Sequence, residues 1–123
     1  MSKSGHIEEL ALLFAALSDR TRLRLLNLMD GQEVCVCHFV EILGQSQPKI
    51  SRHLAYLRRA GIVAARREGK WMHYKIVAPK DAGTARILRE ALMQLRNDKQ
   101  VRKDLEVLNK VCCAPLVKIA SAR

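Results

Sequence analysis

The sequence predicts a mainly α-helical domain carrying one small β-hairpin, and three observations lead to that prediction. Aromatic residues make up only 4% of the chain while hydrophobic residues make up 49%, so the core is aliphatic and suits packed helices better than a sandwich of sheets. Residues 34–61 hold two short helical segments joined by a glycine-containing turn, the spacing of a helix-turn-helix. Two strand-like runs follow around Glu68-Gly69-Lys70, and a basic hairpin in that place reads as a wing. At 123 residues the chain fits one winged helix-turn-helix domain over 1–123. Its parts are two helices over 7–30, the helix-turn-helix over 34–61, the wing over 62–78, C-terminal helices over 81–111 and a cysteine-containing tail over 112–123.

The elements follow in order. Ile7, Leu10, Ala11, Phe14 and Leu17 recur at helical spacing, which predicts a first helix with one apolar stripe. Ser18-Asp19 caps a second helix with Leu23, Leu25, Leu26 and Leu28 on its buried side, and Asp30-Gly31 stops it. Arg20, Arg22 and Arg24 stand near that helix start, against its dipole. They read as a solvated face, as phosphate contacts or as partners of acids. A third helix over residues 36–43 turns Phe39, Val40 and Leu43 inward. Gly44-Gln45-Ser46 makes the turn, Ser46 caps the next helix, and Pro48 sits in its first turn, where a missing N–H costs nothing. Ile50, Leu54 and Leu57 form the core stripe of this fourth helix. Ala60-Gly61 ends it, the glycine supplying the left-handed position. A longer helix over 81–97 carries Ala85, Leu88, Leu92 and Leu95, and another over 101–111 carries Leu105, Val107 and Leu108. With the first helix, these two either build a dimer interface or cover the domain's own core.

Charge narrows the partner. Lys and Arg number 22 against 12 Asp and Glu, a net +10, which calls for an anionic partner such as nucleic acid or a membrane surface. Between Gln45 and Ala78 stand Lys49, Arg52, Arg58, Arg59, Arg66, Arg67, Lys70 and Lys75 against the single acid Glu68. The surplus therefore sits on the fourth helix and the wing, which favours double-stranded DNA. A membrane is disfavoured, since no apolar run approaches the ~20 residues needed to span one. With the buried stripe removed, Gln47, Lys49, Ser51, Arg52, Tyr56 and Arg59 remain on other faces of the fourth helix. The N-terminal residues of such a helix reach base edges in the major groove, so Gln47, Lys49, Ser51 and Arg52 are the first candidates. His53 beside the core stripe fits a structural hydrogen bond or a phosphate contact equally well. Arg66, Arg67 and Lys70 on the wing should meet phosphates or the minor groove.

His6, Glu8 and Glu9 stand where an apolar targeting region would begin, so the expected location is the cytoplasm, where Cys35, Cys37, Cys112 and Cys113 stay reduced. Close pairs of reduced thiols are candidate metal ligands or redox switches. No Cys-x-x-Cys pair is present, which removes the zinc-ribbon and thioredoxin-like readings. No Cys-x5-Arg phosphate loop and no paired acid/base constellation is present either, so the chain is not expected to be an enzyme or to use an organic cofactor.

Four segments, taken together, resemble the ArsR/SmtB family of metal-responsive winged-helix repressors, and in particular its arsenic-sensing members. They are Leu17-Ser18-Asp19-Arg20-Thr21-Arg22-Leu23, Glu33-Val34-Cys35-Val36-Cys37, Gln47-Pro48-Lys49-Ile50-Ser51-Arg52-His53-Leu54, and Arg66-Arg67-Glu68-Gly69-Lys70-Trp71 with Tyr74. The resemblance implies a cytoplasmic homodimer that binds operator DNA of an arsenic-resistance operon and leaves it when As(III), or the similar Sb(III), binds cysteine thiolates. Other sensors in the same fold imply alternatives: a thiol redox sensor, or a Cd-, Pb- or Zn-responsive repressor. The sequence departs from the family pattern at His38, where many members have an acid, and at Val40, where some arsenic sensors have a third cysteine. The helix over 81–97 also contains no histidine, which argues against zinc sensing.

As(III) is thiophilic and prefers three sulfurs. Cys35 and Cys37 provide two, but residues i and i+2 of a regular helix do not face each other. Both can hold one ion only if the first turn of the third helix is distorted or has not yet begun. The third sulfur is expected from Cys112 or Cys113, of the same or the partner chain, with His38 a weaker nitrogen donor.

Overall fold

The computed structural model describes residues 5–113, with side chains for residues 6–111. The chain runs α1 (Gly5–Leu17), α2 (Arg20–Met29), β1 (Val34–Cys35), α3 (Val36–Leu43), α4 (Gln47–Arg59), β2 (Val63–Glu68), β3 (Trp71–Ile76), α5 (Ala82–Leu95) and α6 (Lys99–Cys113). Among the described residues the architecture is six helices with a small antiparallel sheet, and the helices and the hairpin within that sheet are as the sequence predicts.

Local chemistry sets most boundaries. Asp19, Ser46 and Asp81 each sit in extended backbone and accept a hydrogen bond from the amide three residues on, from Arg22, Lys49 and Thr84 respectively. Such caps satisfy amides that a helix start leaves unpaired. Gly44 ends α3 at φ 67°, a left-handed position that favours glycine. The turn between α3 and α4 is therefore short and fixed. Gln45 tethers it to α2, its side-chain amide donating to the Thr21 hydroxyl at 3.1 Å.

The core lies between α1, α2, α3, α4 and α6. Leu13, Leu25, Leu26, Leu28, Phe39, Ile50, Leu54, Leu57 and Leu108 are fully buried in one cluster. Withdrawing a large aliphatic side chain from water is worth roughly 1.5–3 kcal/mol, so the stripe Ile50/Leu54/Leu57 seats α4 firmly against the body. Leu88, Leu92 and Val101 are also buried, so α5 and α6 help to cover the chain's own core. Arg24 grips α6, donating from Nε and Nη2 to Asp104 at 2.8 and 2.9 Å, and Asn27 donates to the Val101 carbonyl at 3.2 Å. The pairing with an acid, one of three options for the α2 arginines, is the one Arg24 takes.

Two expectations need correction. The first helix carries more than the one apolar stripe expected: Leu13 and Ala16, outside that stripe, enter the core and Leu17 packs against it, while Ile7 and Phe14 are 74% and 53% exposed. The helix is apolar on more than one side, and periodicity alone does not say which side meets the rest of the chain. The hairpin is also not alone. A third strand, β1, makes a sheet of order β1-β3-β2, with Val34 opposite Tyr74 and Cys35 opposite His73. Two residues are too short a run for alternation to announce a strand; it exists because β3 offers a free edge beside it.

Candidate effector site and DNA-facing surface

Cys35 occupies a junction. It is the last residue of β1 and the cap of α3, with extended backbone (φ −73°, ψ 142°). Its Sγ takes the place usually filled by a serine or aspartate oxygen, accepting from the Cys37 amide at 3.5 Å. Because Cys35 stands before the first helical turn, the two side chains converge, and the Sγ atoms lie 2.9 Å apart. Of the two geometries the sequence allows for a shared ion, the structure takes the one in which the helix has not yet begun. Cys35 is buried and Cys37 exposed, so the pair opens to solvent on one side. Burial, and then the hydrogen bond to Cys35, push the Cys37 thiol up to about 12, which keeps it protonated at neutral pH. His38 follows, its imidazole held below the ordinary value first by burial.

The donor set suits a soft ion, since thiols are matched to soft metals, but it is incomplete among the described residues, where no group of three His, Cys, Asp or Glu side chains is arranged to hold a metal. The side chains of Cys112 and Cys113 lie outside the described residues. Their backbone forms the last turn of α6.

The second surface is α4 and the hairpin. Gln47, Lys49, Ser51 and Arg52 are all exposed along the first half of α4. His53 is turned inward: its Nδ1 lies 3.2 Å from Arg22 Nη1 and 3.7 Å from Asp19 Oδ2. Burial is the first cause holding that imidazole below its ordinary value. Tyr56 is 42% exposed, with the Arg22 guanidinium 4.3 Å and that of Arg59 5.6 Å from its ring centre. In the hairpin, Arg67 and Lys70 are exposed near the turn, where Gly69 takes φ 62°. The Lys70 ammonium lies 5.3 Å from the ring centre of Trp71. Arg66 is engaged, its Nε and Nη2 donating to the Glu33 carboxylate at 3.0 and 2.6 Å. That hydrogen bond is the first cause holding the Glu33 carboxyl below the usual carboxylate range.

Arg22 takes none of the three roles the sequence offers for it, and Glu33 and His73 carry structure for which the sequence assigns no role. Arg22 is a hub, donating to the carbonyls of Ala16 at 3.0 Å and Ala15 at 2.9 Å while also meeting His53 and Tyr56. Its signal was available: Arg22 stands in register with buried Leu25, Leu26 and Met29. Glu33 and His73 had no comparable signal, because both depend on β1 joining the sheet.

An exposed basic helix following a short turn, with a basic hairpin beside it, defines a winged helix-turn-helix DNA-binding protein. The chain belongs to the ArsR family. Residues 19–65 match the family model described as "Bacterial regulatory protein, arsR family". The chain is 48% identical over 80 residues to the arsenical resistance operon repressor of Escherichia coli, covering 64% of this chain and 68% of that protein. It is 46% identical over 76 residues to the arsenic resistance transcriptional regulator ArsR1 of Pseudomonas putida, covering 58% of this chain and 59% of that protein, less than two thirds of its length. Among solved structures, the homodimeric winged helix-turn-helix DNA-binding domain of Mb0332 from Mycobacterium bovis is similar at TM-score 0.61 and 26% identity, covering 78% of this chain and 90% of that one. Proteins of this family are DNA-binding transcriptional regulators rather than enzymes.

Proposed function

We propose that the chain is an As(III)-responsive repressor of an arsenic-resistance operon, which binds operator DNA as a homodimer and leaves it when Cys35 and Cys37 take up the ion. One observation carries this reading: two thiols converge on the cap of α3, the helix that leads through a fixed turn into α4. The arsenic-resistance names of the relatives support the effector class. Trivalent arsenic reaches the protein as As(OH)3, and each thiol that adds releases one hydroxide as water, carrying the thiol's proton. Sb(III) has the same soft chemistry. Pulling Cys35 toward a shared ion strains the α3 start and, through Gly44, the seat of α4. To turn a 1:99 equilibrium into 99:1, the ion must favour the weak-binding state by about 5.5 kcal/mol.

In this reading Cys112 or Cys113 supplies the third thiolate. α6 packs against α2 and also against α3. Asp104 and Val101, toward its start, hold α2, and Leu108, further along, enters the core. That course supports a donor from the same chain. Gln47, Lys49, Ser51 and Arg52 read the major groove, with Arg67 and Lys70 on the wing for phosphates. His53 and Tyr56 act mainly by seating α4 through Arg22. The exposed Ile7 and Phe14 of α1 and Met93 of α5 are the apolar side chains a second copy would cover, and the homodimeric neighbour supports that pairing. Among the described residues no helix is long and apolar enough to cross a membrane, and the reading places the protein in the cytoplasm with no organic cofactor.

The close Sγ–Sγ approach also favours a second reading, a thiol redox sensor released by oxidant. Fluorescence anisotropy of an operator duplex separates the two. Under reductant, arsenite should release the wild-type protein and leave Cys35→Ser/Cys37→Ser bound. Release by peroxide alone would favour the redox sensor, and release of the double variant by arsenite would remove Cys35 and Cys37 from the mechanism.

A further inference from the structure

Glu33 and Arg66 are both exposed, yet they form a two-point fork between segments that are distant in sequence. Arg66 Nη2 reaches Glu33 Oε1 at 2.6 Å and Arg66 Nε reaches Oε2 at 3.0 Å. A bidentate guanidinium–carboxylate contact fixes orientation as well as distance, which a single-point lysine contact does not. Its ends matter for where they lie. Glu33 is two residues before Cys35, and Arg66 is in β2, the outer strand of the wing hairpin.

The sheet register gives the fork its context. Cys35 pairs with His73, and His73 pairs on its other side with Arg66. Successive side chains of a strand alternate between faces, and directly opposed residues share one. Val34, Tyr74 and Ala65 therefore form the core-side row, while Cys35, His73 and Arg66 form the row on the opposite face. On that face Glu68 lies 3.4 Å from His73 Nε2 and 3.5 Å from Arg66 Nη2. The residues around the Cys35 strand are thus tied to the hairpin twice, through backbone pairing with β3 and through Arg66 reaching over β3 to Glu33.

This arrangement changes what Arg66 is for. A wing arginine held by two hydrogen bonds to a carboxylate is poorly placed to serve as a simple phosphate contact, unlike Arg67 and Lys70, which the described carboxylates leave uncommitted by any ion pair. We infer that Glu33 and Arg66 are positioning residues that link the Cys35/Cys37 pair to the wing, so that a movement of β1 when the thiols close on an ion shifts the hairpin as well as α4. The inference rests on the effector reading above, and adds a second route from the thiol pair to DNA beside the one through α3.

The test uses the full-length protein and a duplex selected by the wild-type protein from a random pool, with arsenite as the effector. Operator affinity is measured with and without arsenite, and arsenite affinity is followed separately by arsenic–thiolate absorption. Glu33→Gln removes the charge partner, and Arg66→Lys keeps the positive charge but loses the fork. Each variant should bind arsenite as the wild type does, yet lose about five- to tenfold of the arsenite-induced change in operator affinity. The double variant should lose no more than either single one, as expected for two ends of one contact. Unchanged arsenite response in both single variants overturns the inference. So does a lowered arsenite affinity in Glu33→Gln, which would make Glu33 part of the ion site. A wild-type protein that arsenite does not release overturns the effector reading itself, a result distinguishable from either of these.

Discussion

Arg22 shows how one side chain can join three elements. Its backbone amide is held by the Asp19 cap, while its guanidinium closes two carbonyls at the end of α1, meets the His53 imidazole and lies over Tyr56. Carbonyls at a helix C-terminus lack intrahelical donors and carry the negative end of the dipole, so a buried arginine there is doubly favoured. The consequence falls on α4, because His53 and Tyr56 belong to it. Arg22→Met keeps much of the apolar stem but takes the guanidinium donor from the Ala16 carbonyl, while the Ala15 carbonyl still accepts from the Ser18 amide and hydroxyl. It should cost about 2 kcal/mol of stability, read as a lowered denaturant midpoint, and weaken operator binding without changing arsenite affinity. An unchanged midpoint would show that water replaces the guanidinium at no cost. The same residue shows why sequence reading stops short. Its register with Leu25, Leu26 and Met29 announces burial, but the partners that make burial tolerable come from α1 and α4, which no local pattern connects to it.

At the level of elements, local chemistry and packing divide the work. The caps of α2 and α4 and the glycine stops of α2, α3 and α4 could be read from residue types, since an oxygen before a helix and a left-handed glycine after it act within a few residues. The choice of face could not. α1 carries apolar residues on two sides, and only the assembled core selects Leu13 and Ala16 over Ile7 and Phe14. β1 was likewise invisible, being two residues long and defined by its partner strand. Its presence fixes Cys35, just before the predicted helix, as a cap in extended backbone, which is why the two thiols meet. The cap of α5 supplies a check in acid. Asp81 accepts from the Thr84 amide and hydroxyl, both at 2.9 Å, and these bonds hold its carboxyl below the ordinary 3.8. A depressed native value stabilises the fold above the unfolded value, and that contribution is lost as pH falls through the native one. The stability difference between wild type and Asp81→Ala should therefore be full at neutral pH and shrink as pH is taken well below 3.8. A difference independent of pH would mean that the carboxylate charge plays no part in the cap.

Across the whole molecule, three surfaces divide the functions proposed for it. The thiol pair lies at the joint of sheet and α3, the basic groups lie on α4 and the hairpin, and the exposed apolar side chains Ile7, Phe14 and Met93 lie on α1 and α5. The joint is the only one of these that touches the other elements by both routes, through the α3–α4 turn and through the fork between Glu33 and Arg66. The basic surface was legible because charge concentrated between Gln45 and Ala78 is a compositional fact. The completeness of the ion site was not, because it depends on where α6 delivers Cys112 and Cys113. Counting the sulfurs bound to arsenic by X-ray absorption at the arsenic edge decides whether Cys35 and Cys37, completed by Cys112 or Cys113, form the ion site. Three sulfurs are expected in the wild-type protein, two when Cys112 and Cys113 are both replaced by serine, and loss of the bound ion when Cys35 and Cys37 are replaced instead. An arsenic that keeps an oxygen shell in the wild type, or an unchanged sulfur count in Cys35→Ser/Cys37→Ser, would contradict that site.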